Sequence, residues 1–159
     1  MHIDSFFGVP AHPLFVHLPV VLTPLALVTA ILAIRKSTRP TFLWITAALA
    51  GMAFAGAQFA VDSGEALEER VRESAGLELH ANLGEATRTL IAVFFVVALL
   101  MAAYELYMSR RGGGSSVNTS IVRVLTVTML LTGALATTWV ARTGHQGAKI
   151  TWEDVGTRE

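Results

Sequence analysis

His2, His12, His17, His80 and His145 are the side chains of this sequence best suited to hold a metal. Imidazole nitrogen binds Zn, Cu and Fe alike, including the iron of a haem, so residue type alone does not choose among them. The chain has no cysteine. That excludes thiolate metal sites, cysteine-held iron–sulfur clusters, covalent c-type haem and cysteine nucleophiles. Glu65, Glu85 and Asp62 are the carboxylates that could join the imidazoles, and Arg88 could pair with Glu85 or with an anionic group such as a haem propionate. None of the short metal signatures, HExxH or a calcium loop, occurs. No nucleophile–base–acid arrangement is visible either, so hydrolysis has no support beyond a metal-bound water.

The elements that must position these residues are four long apolar segments. They run over residues 14–34, 41–61, 86–107 and 121–141. At 1.5 Å per residue, 21 helical residues cross a hydrocarbon core of about 30 Å. The segments are apolar all round and lack the polar face of a soluble bundle helix. Charged residues make up only 15% of the chain, which fits four apolar stretches, interrupted only near their ends by Arg88, Glu105 and Arg123, inside one 159-residue domain. The expected fold is all-α, a four-helix transmembrane bundle. Residues 1–13 carry no Lys or Arg, so the positive n-region of a secretory signal is missing and the first apolar run reads as a span. The formal net charge is zero, so composition makes no case for nucleic acid as a partner.

Charge divides the connections. Arg35, Lys36 and Arg39 follow the first span, and Arg110, Arg111 and Arg123 surround the loop before the fourth. Of the twelve acids, eleven fall on the other side, in the N-terminal segment, the loop 62–85 and the C-terminal tail. The positive-inside rule then makes loops 35–40 and 108–120 cytoplasmic and both termini extracytoplasmic, in a bacterial inner (plasma) membrane. The run of three glycines after Arg111 reads as a flexible linker, since no strand precedes it and no GK[ST] follows.

The helix faces add detail. Ala47, Gly51 and Ala55 recur at spacing four, followed by Gly56 and Ala57, a pattern that permits close helix approach. The fourth span is rich in Thr, whose hydroxyls can bond back to their own helix or across to a neighbour. Pro19 and Pro24 are expected to kink the first span in its outer half. Asp62 with Glu65 has capping-box-like spacing, and Glu68 to Arg72 is an i,i+4 pair. A separate amphipathic helix is therefore expected from about Ser63 to Ser74, a turn at Ala75-Gly76, and a new helix from near Glu78.

On this topology His12, His17, His80 and His145 converge at one membrane face with Glu65 and Glu85. Bundles build ligand sites from facing helices, and ionisable groups at membrane depth are candidates for function. His17 draws most attention because it sits one turn inside an apolar helix. His145 lies in TGHQGA, where flanking glycines allow close backbone approach. Each imidazole also has a structural reading: His17 as an interface anchor or helix-to-helix bond, His12 as a cap on the first span.

The segments HPLFVHLPV at 12–20, DSGEALEERV at 62–71, ELHANLGEA at 78–86 and TGHQGAKITW at 143–152 resemble a widespread bacterial family of four-helix inner-membrane proteins of unknown function. The resemblance covers nearly the whole chain. Other members continue with a Tyr and later a His-Gly; here Trp152 stands near the Tyr, and Asp154 or Val155 near that His. A second C-terminal imidazole is thus absent. The family is also distantly similar to four-helix b-type haem cytochromes, which implies electron transfer. Two-haem members need histidines at both membrane faces, so this chain would hold one b haem, at the outer face.

Three functions follow as expectations. The first is a redox or metal-binding module in which His17 and His80 or His145 ligate a haem b iron or a divalent metal (Fe, Zn or Cu). The second is a non-catalytic accessory subunit of a larger membrane complex, or a homo-oligomer in the lipid bilayer. The third, a small transporter, has least behind it, because the spans carry no charge at mid-membrane and show no clear repeat. The topology has a direct test. Reporter fusions at Lys36 and Gly113 should read cytoplasmic, and fusions at Ser74 and Glu159 external. A reversal at any of the four would scatter the histidines between compartments.

Overall fold

The computed structural model describes residues 5–6, 9–68, 74–111 and 119–152. A two-residue antiparallel pair, β1 (Ser5–Phe6) with β2 (Val9–Pro10), precedes five helices. These are α1 (Ala11–Phe15), α2 (His17–Leu32), α3 (Arg39–Glu68), α4 (Ala75–Arg110) and α5 (Thr119–Trp152). α1 and α2 together form the first membrane-crossing unit, and each later helix forms one more, giving four helices long and apolar enough to span a bilayer. Each helix packs on its sequence neighbours and α5 closes back onto α2, so the bundle is a ring of four.

The first span breaks at Val16, three residues ahead of Pro19. Proline has no amide hydrogen, and its ring crowds the carbonyl four residues back, here that of Phe15. The ladder loosens around the break: Val16 N–H reaches His12 O at 3.2 Å, and Val20 N–H reaches Val16 O at 3.3 Å. Pro24 stays inside α2 without interrupting it. At the far end Arg39 folds back, its Nε donating to Ala33 O and its Nη2 to Ile34 O, both at 3.2 Å. A basic group thus meets carbonyls that no residue of α2 can satisfy.

Burial runs opposite to a soluble bundle. On α3 the inward positions are Ala47, Ala50, Ala53, Gly56, Ala57 and Ala60, while Trp44, Met52 and Phe59 face outward. The inward stripe is therefore not the expected Ala47–Gly51–Ala55 series, because Ala55 is exposed and Gly51 half-buried against Phe95. About half the positions of this span are small, so more than one small-residue stripe is possible, and large residues such as Trp44, Met52 and Phe59 select one by turning to lipid. α2 does the same, burying Thr23, Ala26, Thr29 and Ala30 and exposing Val21, Leu25, Val28 and Leu32. The space between is filled by a few large side chains, chiefly Phe94, Leu43, Ile91, Met101 and Met129.

Threonine hydroxyls mostly bond back to their own helix, as Thr126, Thr132 and Thr137 of α5 do. Among the described residues two threonine pairs cross between helices: Thr29 with Thr46 at 2.9 Å, and Thr87 with Thr143 at 2.8 Å.

The outer connection departs from the sequence expectation. α3 does not stop and restart near Ser63 but continues unbroken to Glu68. Asp62 is consequently inside a helix, accepting a bond from Gln58 Nε2 at 2.7 Å, and caps nothing. Ala75 and Gly76 are the first turn of α4 rather than a turn between helices, with Ser74 Oγ accepting from Leu77 N–H. Ser74 takes the N-cap because its hydroxyl reaches an amide that has no partner in the helix. Arg72 of the expected Glu68–Arg72 pair, His2 and the glycine linker lie outside the described residues.

Glycine reports how closely the helices approach. A Cβ on Gly56 would collide with the Cβ of Leu18 on α2 and meet Pro19 Cδ at 3.2 Å. A Cβ on Gly84 would meet nothing within 4 Å. Gly56→Leu should therefore destabilise the detergent-solubilised protein by about 1–3 kcal/mol or more, as overpacking does. Gly84→Ala should raise stability by up to about 1 kcal/mol through helix propensity. Thermal unfolding of the two variants checks both signs.

Candidate functional site

Four helix ends meet where α1 begins, α3 ends, α4 begins and α5 ends. His12 lies on α1, and its Nδ1–H donates to the carbonyl of Ala60 on α3 at 2.8 Å. The same carbonyl accepts from Ser63 Oγ at 3.2 Å. The imidazole can come this near because residue 64 is glycine: a Cβ there would stand 3.1 Å from His12 Nδ1.

His80 sits on α4, six residues after its N-cap. Its ring meets that of His12 edge to face, with centroids 6.1 Å apart and an 80° angle between planes. On its other side it presses on α5 at Gly147, where a Cβ would come within 2.9 Å of His80 Cε1. The α4–α5 seam around it is regular. Gln146 Nε2 donates to Gly76 O, and Thr143 Oγ1 donates to Leu83 O. Gly76, His80, Leu83 and Thr87 thus lie on one helical face, which continues through the membrane as Ile91, Phe94 and Ala98. Counting back from Thr89, where the apolar part of α4 starts, His80 stands about 13 Å beyond the hydrocarbon.

The structure therefore brings together two of the expected site residues, His12 and His80. His17 is exposed, and its Nδ1–H donates to the carbonyl of Pro13 at 2.6 Å, inside the loosened segment ahead of Pro19. That is a local bond to a carbonyl beside the proline break, and it does not join His17 to the pair. His145 is exposed on α5, since Gly147, two residues further round the helix, occupies the position facing His80. Glycine does allow a close approach in TGHQGA, but to His80, and at Gly147 rather than at Gly144, where a Cβ would meet nothing. Glu65 and Glu85 are exposed and Arg88 is half-buried. Among the described residues no group of three or more His, Asp or Glu side chains is arranged to hold a metal ion.

Chemically, the His12 bond to Ala60 O matters most. It puts an N–H on Nδ1, so that in the neutral tautomer Nε2 is the nitrogen that could bind a metal. Metal–imidazole bonds of about 2.0–2.1 Å hold two ligating nitrogens about 4 Å apart or less. The two rings meet edge to face with centroids 6.1 Å apart. Ala60 O, Gly64 and Gly147, which surround the two rings, carry no metal-ligand or catalytic pattern in the sequence. Their signal was the placing of glycine in the DSGE and HQGA segments, legible only once their partners are known.

Residues 8–159 match the family described as predicted membrane protein (DUF2231), and the chain belongs to it. No curated protein and no solved structure matches significantly, and neither comparison lends support to a likeness to haem cytochromes. The His80–Gly147 contact is open to test. Gly147→Ala should shift the imidazole resonances of His80 in histidine-labelled protein and leave those of His17 in place. Unchanged His80 resonances would mean that α5 does not press on this ring.

Proposed function

We propose that this member of the DUF2231 family is a membrane-anchored metal-binding module, with His12 and His80 as the protein ligands of a transition-metal ion at the extracytoplasmic face. One observation carries the reading. Two histidines 68 residues apart in sequence meet ring to ring at the junction of four helix ends, one of them oriented by an Nδ1–H bond to a backbone carbonyl. Zn, Cu or Fe would suit such ligands. Exogenous ligands or water would complete the coordination, leaving an open position for redox or exchange chemistry.

A small ion accords with this geometry better than a porphyrin. Gly64 and Gly147 lie directly against the two rings, and a haem plane would need a slot there. One b-type haem for electron transfer remains the alternative occupant, with Arg88, half-buried two turns beyond His80, as a partner for a propionate. His17, His145, Glu65 and Glu85 take peripheral roles in this proposal, as residues the ion or its carrier meets on approach. The sidedness rests on the basic connections: loops 35–40 and 108–120 in the cytoplasm, both termini outside, in a bacterial inner membrane.

A second reading, an accessory subunit of a larger membrane complex, has its own observation. The His12–Ala60 bond ties α1 to α3 and would be useful as a purely structural clasp. Metal analysis separates the two. Gently solubilised protein should carry a near-stoichiometric divalent metal by elemental analysis, and a Soret band would instead identify haem. His12→Ala and His80→Ala should each lower metal affinity by roughly tenfold or more, while His17→Ala and His145→Ala keep it near the wild-type level. Protein that carries neither metal nor haem, and gains none on titration, would move the function to the accessory subunit.

A further inference from the structure

The opposite end of the bundle carries a groove between the first turns of α3 and the last turns of α4. Pro40, Trp44, Ala102, Glu105, Leu106 and Ser109 line it. Trp44 and Leu106 are exposed apolar walls, and Ala102 is the buried floor. Glu105 is the exception among the twelve acids, the one placed at the basic end. It is half-buried and has neither an ion pair nor a hydrogen bond among the described residues. It stands five residues before the end of α4, about 8 Å along the helix, at the depth where headgroups meet hydrocarbon.

A half-buried carboxylate at that depth calls for a cation. Two nearby cations already have partners in the protein. Arg39 donates to the carbonyls of Ala33 and Ile34, and Arg111 lies 4.5 Å over the ring of Tyr107. Ser109 gives its hydroxyl proton to Leu106 O, so toward the groove its oxygen is an acceptor. The groove thus offers a carboxylate and a hydroxyl oxygen beside an indole, with the exposed Arg110 next to Ser109 at the rim.

We propose that this groove seats one phospholipid with a primary-amine headgroup, of the phosphatidylethanolamine kind. Its ammonium bonds Glu105 and Ser109 Oγ, its phosphate lies toward Arg110, and an acyl chain follows Trp44 and Leu106. The chemistry selects this headgroup. A primary ammonium has three donors to match acceptor-only groups, a quaternary choline has none, and an anionic glycerol headgroup meets Glu105 with like charge.

Native mass spectrometry of the full chain tests this with phosphatidylethanolamine, phosphatidylcholine and phosphatidylglycerol of identical acyl chains in equal amounts. The ethanolamine adduct should exceed the choline adduct by roughly tenfold, as expected for charge-assisted hydrogen bonds. Glu105→Gln should bring the two to parity, and Trp44→Ala should weaken all three adducts together. A series of mono- and dimethylated headgroups on the unaltered protein should show stepwise loss, which keeps the test decisive if Glu105→Gln fails to fold. Parity in the unaltered protein, preference for phosphatidylglycerol, or a preference that survives Glu105→Gln overturns the proposal.

Discussion

Lipid is as apolar as leucine, so burying large side chains between helices brings little gain in a membrane. What holds this bundle is close backbone approach, and the rest of the structure depends on it. Gly56 lets α3 lie against Leu18 and Pro19 of α2, and Gly133 accepts the side chains of Leu27 and Phe94. Alanine fills most of the inward positions on α2 and α3, while Trp44, Met52, Leu25 and Val28 turn outward. At such separations many atoms lie at contact distance, and dispersion summed over them is the main attraction. Hydroxyl pairs such as Thr29–Thr46 add directional bonds where the alternative is hydrocarbon.

The same packing extends past the membrane and builds the histidine pair. α4 carries one inward face from Ala98 out to Gly76, and α5 follows it to Ile150. Glycine at 147 and at 64 continues the close approach where large residues would have spread the helices. The break ahead of Pro19 separates α1 from α2 and lets His12 reach Ala60 O, while His17 stays on the outside. The imidazoles meet because the helices bearing them are already close.

The two ends of the bundle differ in chemistry. One end holds imidazoles beside most of the acids, and the other holds basic loops around a solitary carboxylate. Aromatic rings with stacked guanidinium groups occur at both, Arg142 on Trp139 and Arg111 on Tyr107. Such pairs suit the boundary layer, where a ring faces hydrocarbon and a cation faces water.

Hydropathy alone determined that four spans exist. That property is summed over some twenty residues and does not depend on which neighbours a helix finds. It also placed four of the histidines near one end of the bundle. Which face of each helix turns inward is not legible there, because a span with small residues scattered over about half its positions presents more than one possible stripe. Only packing against α2 and α4 chose Ala50, Ala53 and Ala57 over Ala55. The same holds for the imidazoles. Two residues along α5 separate exposed His145 from Gly147 at the contact, a rotation of about 200° that the position of a span end does not reveal. The continuation of α3 through Asp62 and Ser63 was hidden for a related reason. Capping patterns describe what a local sequence could do at a helix end, whereas tertiary contact, here His12 on Ala60 O and Gly64, decides whether the helix ends there.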